Sequence, residues 1–127
     1  MNPICPYCKR VSETVSGEVI YPHMPELRNK TFYLCSKCMA YVGCHPGTGR
    51  PLGSLANAET RKARLRLHFI FDSIWKKGIM SRKNAYKMLV DKLGIKKKVD
   101  CHIGLFDINT CIKAEEILTN LIIEETW

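Results

Sequence analysis

Cys5-Pro6-Tyr7-Cys8 and Cys35-Ser36-Lys37-Cys38 are two C-x-x-C pairs with 26 residues between them, and their reading decides the fold of this 127-residue chain. Two intervening residues let both sulfurs of a pair point at one ion while the backbone turns tightly between them. Two such pairs complete the tetrahedral four-thiolate shell of one zinc, with no open position, and a closed shell is structural rather than catalytic. A single pair would also suit a redox dithiol or two buried thiols. Together the pairs predict one structural zinc held by Cys5, Cys8, Cys35 and Cys38.

The residues around the pairs complete the module. Val11 to Val15 and Glu18 to Tyr21 flank Ser16-Gly17 as the strands of a hairpin would, and Thr31 to Leu34 form a β-prone run into the second pair. Tyr21-Pro22-His23-Met24-Pro25 cannot be a central strand, because proline lacks the N–H a ladder needs, so it reads as a loop. Residues 1–45 are thus expected to form a zinc ribbon with a short hairpin or three-stranded sheet, its core so small that the metal supplies much of the folding energy. Cys44 and His45 stand just beyond the second pair. They are either substitute or second-site ligands, or a packed thiol and a loop imidazole.

Residues 46–53 form a glycine-rich connecting loop, Pro46-Gly47-Thr48-Gly49-Arg50-Pro51-Leu52-Gly53. Glycine turns and helix N-termini attract anions, and Arg50 has the fork to grip a phosphate; the competing reading is a connector whose glycines only permit sharp turns. The G-x-x-x-x-G-K-[ST] pattern of a nucleotide-binding P-loop is missing. The loop is expected to fold back so that His45 or Arg50 approaches His68.

Residues 54–127 read as a basic helical body. A first helix is expected from Ser54 as N-cap to Lys77, stopped by Gly78, with Ala63, Leu67, Ile70, Phe71 and Ile74 on its buried stripe. The neighbouring face collects Arg61, Arg64, His68, Asp72 and Trp75. That row suits a phosphate or base, an acid–base histidine oriented by Asp72, or a self-satisfied surface. A second helix is expected from Ser81 to Leu93 before Gly94, burying Tyr86, Leu89, Val90 and Leu93 and leaving Arg82, Lys83, Lys87 and Lys92 outside. A short strand is expected over Val99 to Ile103, then a third helix capped by Asp107 and running to Glu124 with Cys111, Ala114, Leu118 and Leu121 inward. Cys101 and Cys111 read as core. Cys101-His102 with Asp107 has the composition of a nucleophile, base and orienter, but neighbours in a strand point to opposite faces.

Charge is concentrated in the middle of the chain. Residues 61–98 carry 13 basic and 2 acidic side chains, against 6 and 4 before them and 1 and 6 after, for a net charge of +8 overall. Such a block favours a polyanion, because each neutralised phosphate releases counterions. Lys96, Lys97 and Lys98 extend it past the second helix. No apolar run approaches the roughly 18 residues that cross a bilayer, and the N-terminus lacks the basic and apolar regions of a secretory signal. These features predict a cytoplasmic protein without a membrane partner, in which cysteines serve as metal ligands or core rather than disulfides.

CPYC, CSKCMAYVGCHPGTGRPLGSLANAETRKAR, HFIFDSIWKKGIMSRKNAYKMLVDKLGI and CHIGLFDINTC, in this order, resemble the zinc-finger-containing domain of unknown function found in phage, prophage and other bacterial proteins. The run from Tyr41 to Leu55 is the most specific part. The resemblance implies a zinc-binding N-terminal part and a phage or mobile-element setting. It also groups Cys44, His45, Gly47, Gly53, His68, Asp72 and His102 in one pattern, of which Cys44, His45, His68, Asp72 and His102 make a possible composite site.

The sequence therefore predicts an α+β protein in which a zinc ribbon packs on a three-helix body. The expected function is zinc-stabilised binding of DNA or RNA through Arg50, Arg61, Arg64, His68, Lys83, Lys87 and Lys96 to Lys98. The alternatives are a small nuclease-like enzyme on phosphate-containing substrates, or an adaptor or inhibitor docking on a host protein. The chain lacks the acidic cluster that two-metal phosphodiester chemistry uses.

Overall fold

A computed structural model describes residues 1–96 and 102–126. The chain divides into two compact units, Met1–Ala58 and Glu59–Trp127. Lys97 and Lys98, with residues 99–101 of the expected strand, lie outside the described residues.

The first unit is a three-stranded antiparallel sheet in the order β1-β2-β3, built from β1 (Glu13–Ser16), β2 (Thr31–Cys35) and β3 (Ala40–Gly43). Thr14 pairs with Tyr33, and Leu34 with Tyr41. The central strand alternates as a pleat requires. Tyr33 and Cys35 turn into a small core with Cys5, Ala40 and Leu55, while Phe32 packs on the other side. There the Phe32, Tyr21 and Tyr41 rings meet edge to face with centroids 5.7 to 6.0 Å apart, and the two tyrosine hydroxyls share a hydrogen bond.

Two expectations for this region are corrected. The stretch after Ser16 is not a returning strand but a single helical turn, α1 (Gly17–Ile20), and the partner of β1 is β2. The cause is a close approach: a Cβ on Gly17 would stand 1.7 Å from the Leu27 carbonyl oxygen, so the glycine serves tertiary contact rather than a tight hairpin. A 3-10 turn over Pro25–Leu27 then completes the expected proline loop.

The second correction concerns Ser54 to Asn57. The first long helix, α2, spans Ala58–Lys76 rather than starting at Ser54. Ala56 exchanges backbone hydrogen bonds with Tyr41 at 3.0 and 3.1 Å, and Leu55 is fully buried in the ribbon core. Burying leucine among the ribbon's apolar residues outweighs one more turn of exposed helix.

In the second unit, α2 is followed by α3 (Arg82–Leu93) and α4 (Ile108–Thr126). Their core contains Leu67, Phe71, Ile74, Ala85, Leu89, Ile103, Phe106, Cys111, Ala114 and Leu118, with Ala63, Ile70, Tyr86, Val90, Leu93 and Leu121 packed at its edge. Both helix stops are glycines in the left-handed region, Gly78 at φ 71° and Gly94 at φ 69°. Each closes a Schellman motif. Ile79 N–H bonds the Ile74 carbonyl and Gly78 N–H that of Trp75, while Ile95 and Gly94 do the same to Val90 and Asp91. The Ser81 side chain accepts from the Asn84 N–H at the start of α3, and Asp107 accepts from the Thr110 N–H at the start of α4. Ile103, expected in a strand, lies instead in a 3-10 turn over Ile103–Leu105 that buries its side chain. Among the described residues, no helix is long and apolar enough to cross a membrane.

Candidate metal centre

Each cysteine pair occupies the turn of a small hairpin, and the two turns are built alike. At the first, Ile4 bridges Val11 and Cys5 N–H bonds the Arg10 carbonyl at 2.8 Å; at the second, Cys35 pairs with Ala40 as β2 meets β3. In both, the residue after the second cysteine adopts a left-handed backbone, Lys9 at φ 66° and Met39 at φ 51°. Neither is glycine, so the strain of these positions was not visible in the sequence.

This repetition brings Cys5, Cys8, Cys35 and Cys38 together with all four sulfurs within 4.8 Å of one another, Cys8 and Cys35 being 3.6 Å apart. A tetrahedron with metal–sulfur bonds of about 2.3 Å has edges of about 3.8 Å. The donor set and its spacing fit one structural zinc. Cys5 and Cys35 are buried, Cys8 and Cys38 half-buried. The Arg10 backbone N–H is the largest influence on Cys8 and draws its thiol down to about 7. Burial, reinforced by the neighbouring sulfurs, pushes Cys38 up to about 12. Crowded thiols that resist ionising together are those a dication stabilises as thiolates.

Cys44 and His45 are not members of this cluster. Cys44 packs at the edge of the ribbon core and bridges Pro51, and burial, reinforced by Cys44, raises the Tyr33 phenol. The glycine loop closes on itself: Leu52 N–H bonds the Gly43 carbonyl, His45 N–H bonds that of Arg50, and Thr48 ties both arms. The Tyr33 hydroxyl donates to the Gly49 carbonyl and anchors the loop to β2. A groove of about 740 Å³ opens between the loop and residues 27–32, with Lys30, His45 and Thr48 among its walls, while the exposed Arg50 is not part of the lining.

The remaining candidates belong to the second unit. Arg64 is half-buried and donates to the Phe106 carbonyl at 2.9 Å, Arg61 is half-buried, and His68 and His102 are exposed. Asp72 accepts from the Trp75 indole at 3.3 Å, so its partner is the tryptophan one turn on. Lys83, Lys87 and Lys96 face solvent. Cys111 lies in the helical core, where burial pushes its thiol up, as befits an inert packing residue. Within the possible composite site, Cys44 and His45 fall in one unit and His68, Asp72 and His102 in the other.

Searches of curated proteins and of solved structures gave no match. Residues 1–121 match the family described as a zinc-finger-containing domain. With a family match over almost the whole chain and four sulfurs gathered at zinc spacing, the chain belongs to the zinc-finger-containing domain family.

Proposed function

We propose that the protein binds nucleic acid through the cations of its helical unit, the zinc serving to fold the ribbon and taking no part in chemistry. The observation that carries this reading is on α3. Lys83 and Lys87 stand one turn apart on its exposed side, and neither has an ion-pair partner among the described residues. They sit in a segment of 13 basic and 2 acidic residues. Cations left without internal partners suit phosphates, and contacts of this kind position a strand without reading its sequence. DNA and RNA are both admitted by this chemistry. A bacterial cytoplasm, with a phage or mobile element as the source, is the setting in which free thiols remain available to zinc.

Affinity measured against salt tests the proposal. Lys83→Gln and Lys87→Gln are each expected to reduce the slope of log affinity on log salt by about 0.7 to 0.9. A slope unchanged by both would remove the helical cations from any interface.

A further inference from the structure

We infer that the outer face of α2 is a base-stacking platform for single-stranded nucleic acid, centred on Phe69. The inference rests on the nucleic-acid reading above and gives that reading a strand class.

Phe69 is 79% exposed and Leu65, one turn before it, 73%. At about 100° per residue both lie on the side of α2 opposite Leu67, Phe71 and Ile74, which are buried in the helical core. Among the described residues, neither belongs to that core or to the residues packed at its edge. Lys62 and Lys76 are also exposed and lie seven residues before and after Phe69 on the same face, about 10 Å away in each direction along the axis, the Lys76 ammonium standing over the Trp75 ring at 5.6 Å from its centroid. The neighbouring acid, Asp72, is engaged by the Trp75 indole, and Arg66 is held in an ion pair with Glu115.

The result is an apolar, aromatic surface with a lysine at either end. A nucleic-acid strand has the complementary pattern, flat π-faces strung on a line of negative charge, and base–aromatic stacking tolerates any sequence. A duplex keeps its base faces stacked inside and offers a protruding phenyl ring only phosphates and groove edges. A single strand can turn a base onto Phe69 while its flanking phosphates meet Lys62 and Lys76. The ring thus supplies the strand preference that lysines alone cannot give.

The test uses the full zinc-loaded chain with a labelled oligothymidine and a duplex of equal length. The wild type is expected to prefer the single strand. Phe69→Tyr should keep that preference, whereas Phe69→Leu and Phe69→Ser should lose about tenfold in single-strand affinity, with duplex affinity and salt slope unchanged. Leucine separates stacking from mere apolar contact, and a thermal melt confirms that each variant is folded. Single-strand affinity indifferent to all three substitutions, with the Lys83 and Lys87 slopes behaving as expected, would overturn the platform and leave the nucleic-acid reading standing. Binding of neither oligonucleotide by the wild type would overturn both. A loss of self-association in Phe69→Ser, seen by light scattering, would assign the face to a second copy of the chain and overturn the platform.

Discussion

The Arg64 guanidinium on α2 donates its Nε hydrogen to the carbonyl oxygen of Phe106, 42 residues further along the chain, at 2.9 Å. Phe106 is buried, and the next residue, Asp107, caps α4. One arginine therefore fixes the point at which the chain enters its last helix. Arg64 was expected as a nucleic-acid contact, and its side chain has this structural task in the fold.

Asp107 gives the cap a pH dependence. Its hydrogen bonds from the Thr110 side chain and N–H, with a smaller contribution from Arg64, hold its carboxyl below the usual range. A depressed folded-state value means the stabilisation is complete above the ordinary carboxylate range, about pH 4, and is lost as pH falls through the folded value. Asp107→Ala should cost about 1 kcal/mol at neutral pH, and the difference from wild type should shrink in acid. Hydrogen exchange at the Thr110 amide reads this locally, apart from any loss of zinc. A gap that widened with acid would contradict the assignment.

Metal analysis should find one zinc per chain. Chelation should abolish the order of the first unit while much of the helical circular dichroism persists, because α2, α3 and α4 have their own core. Cys35→Ser should cost several kcal/mol by leaving the shell incomplete. A folded ribbon without metal would refute the structural role.

Gly17 and Gly43 should respond unequally to alanine. At Gly17 the new methyl would meet the Leu27 carbonyl at 1.7 Å, a backbone clash expected to cost about 2 kcal/mol or more. At Gly43 it would rest 3.4 Å from Phe32 and 3.5 Å from Leu52, ordinary contact that should leave stability nearly unchanged. Thermal melts of the two variants decide the comparison.

Leu55→Ala should weaken the ribbon rather than the start of α2. Deleting a fully buried leucine side chain is expected to cost about 2 to 5 kcal/mol, seen as easier loss of the first unit on heating or chelation. A change confined to helix content would instead place Leu55 with the helical unit.

What the sequence disclosed was whatever is set by neighbours in the chain. The spacing within each cysteine pair, the Ser81 and Asp107 caps, the Gly78 and Gly94 stops and the Leu67–Phe71–Ile74 stripe all depend on residues within a turn or two. The failures share a different cause. β1 finds its partner in β2 some fifteen residues beyond the expected turn, Ala56 is captured by Tyr41, and Gly17 is required by Leu27. Each was decided by a distant residue that local propensity does not see. In the metal site the ligand residues were legible, but the left-handed turns at Lys9 and Met39 were not, since a glycine would have been the usual signal. Leu65 and Phe69 are legible in the sequence only as an apolar pair four apart and off the core stripe.

The edge-to-face cluster of Tyr21, Phe32 and Tyr41 has an optical consequence. Four of the five tyrosines, Tyr7, Tyr21, Tyr33 and Tyr41, belong to the first unit, while Trp75 belongs to the second. The chain is thus labelled in two colours by its own chromophores. Near-ultraviolet tyrosine signals follow the metal-dependent half and the Trp75 indole follows the helical half, so the loss of one and the survival of the other can be watched in a single sample without any added dye.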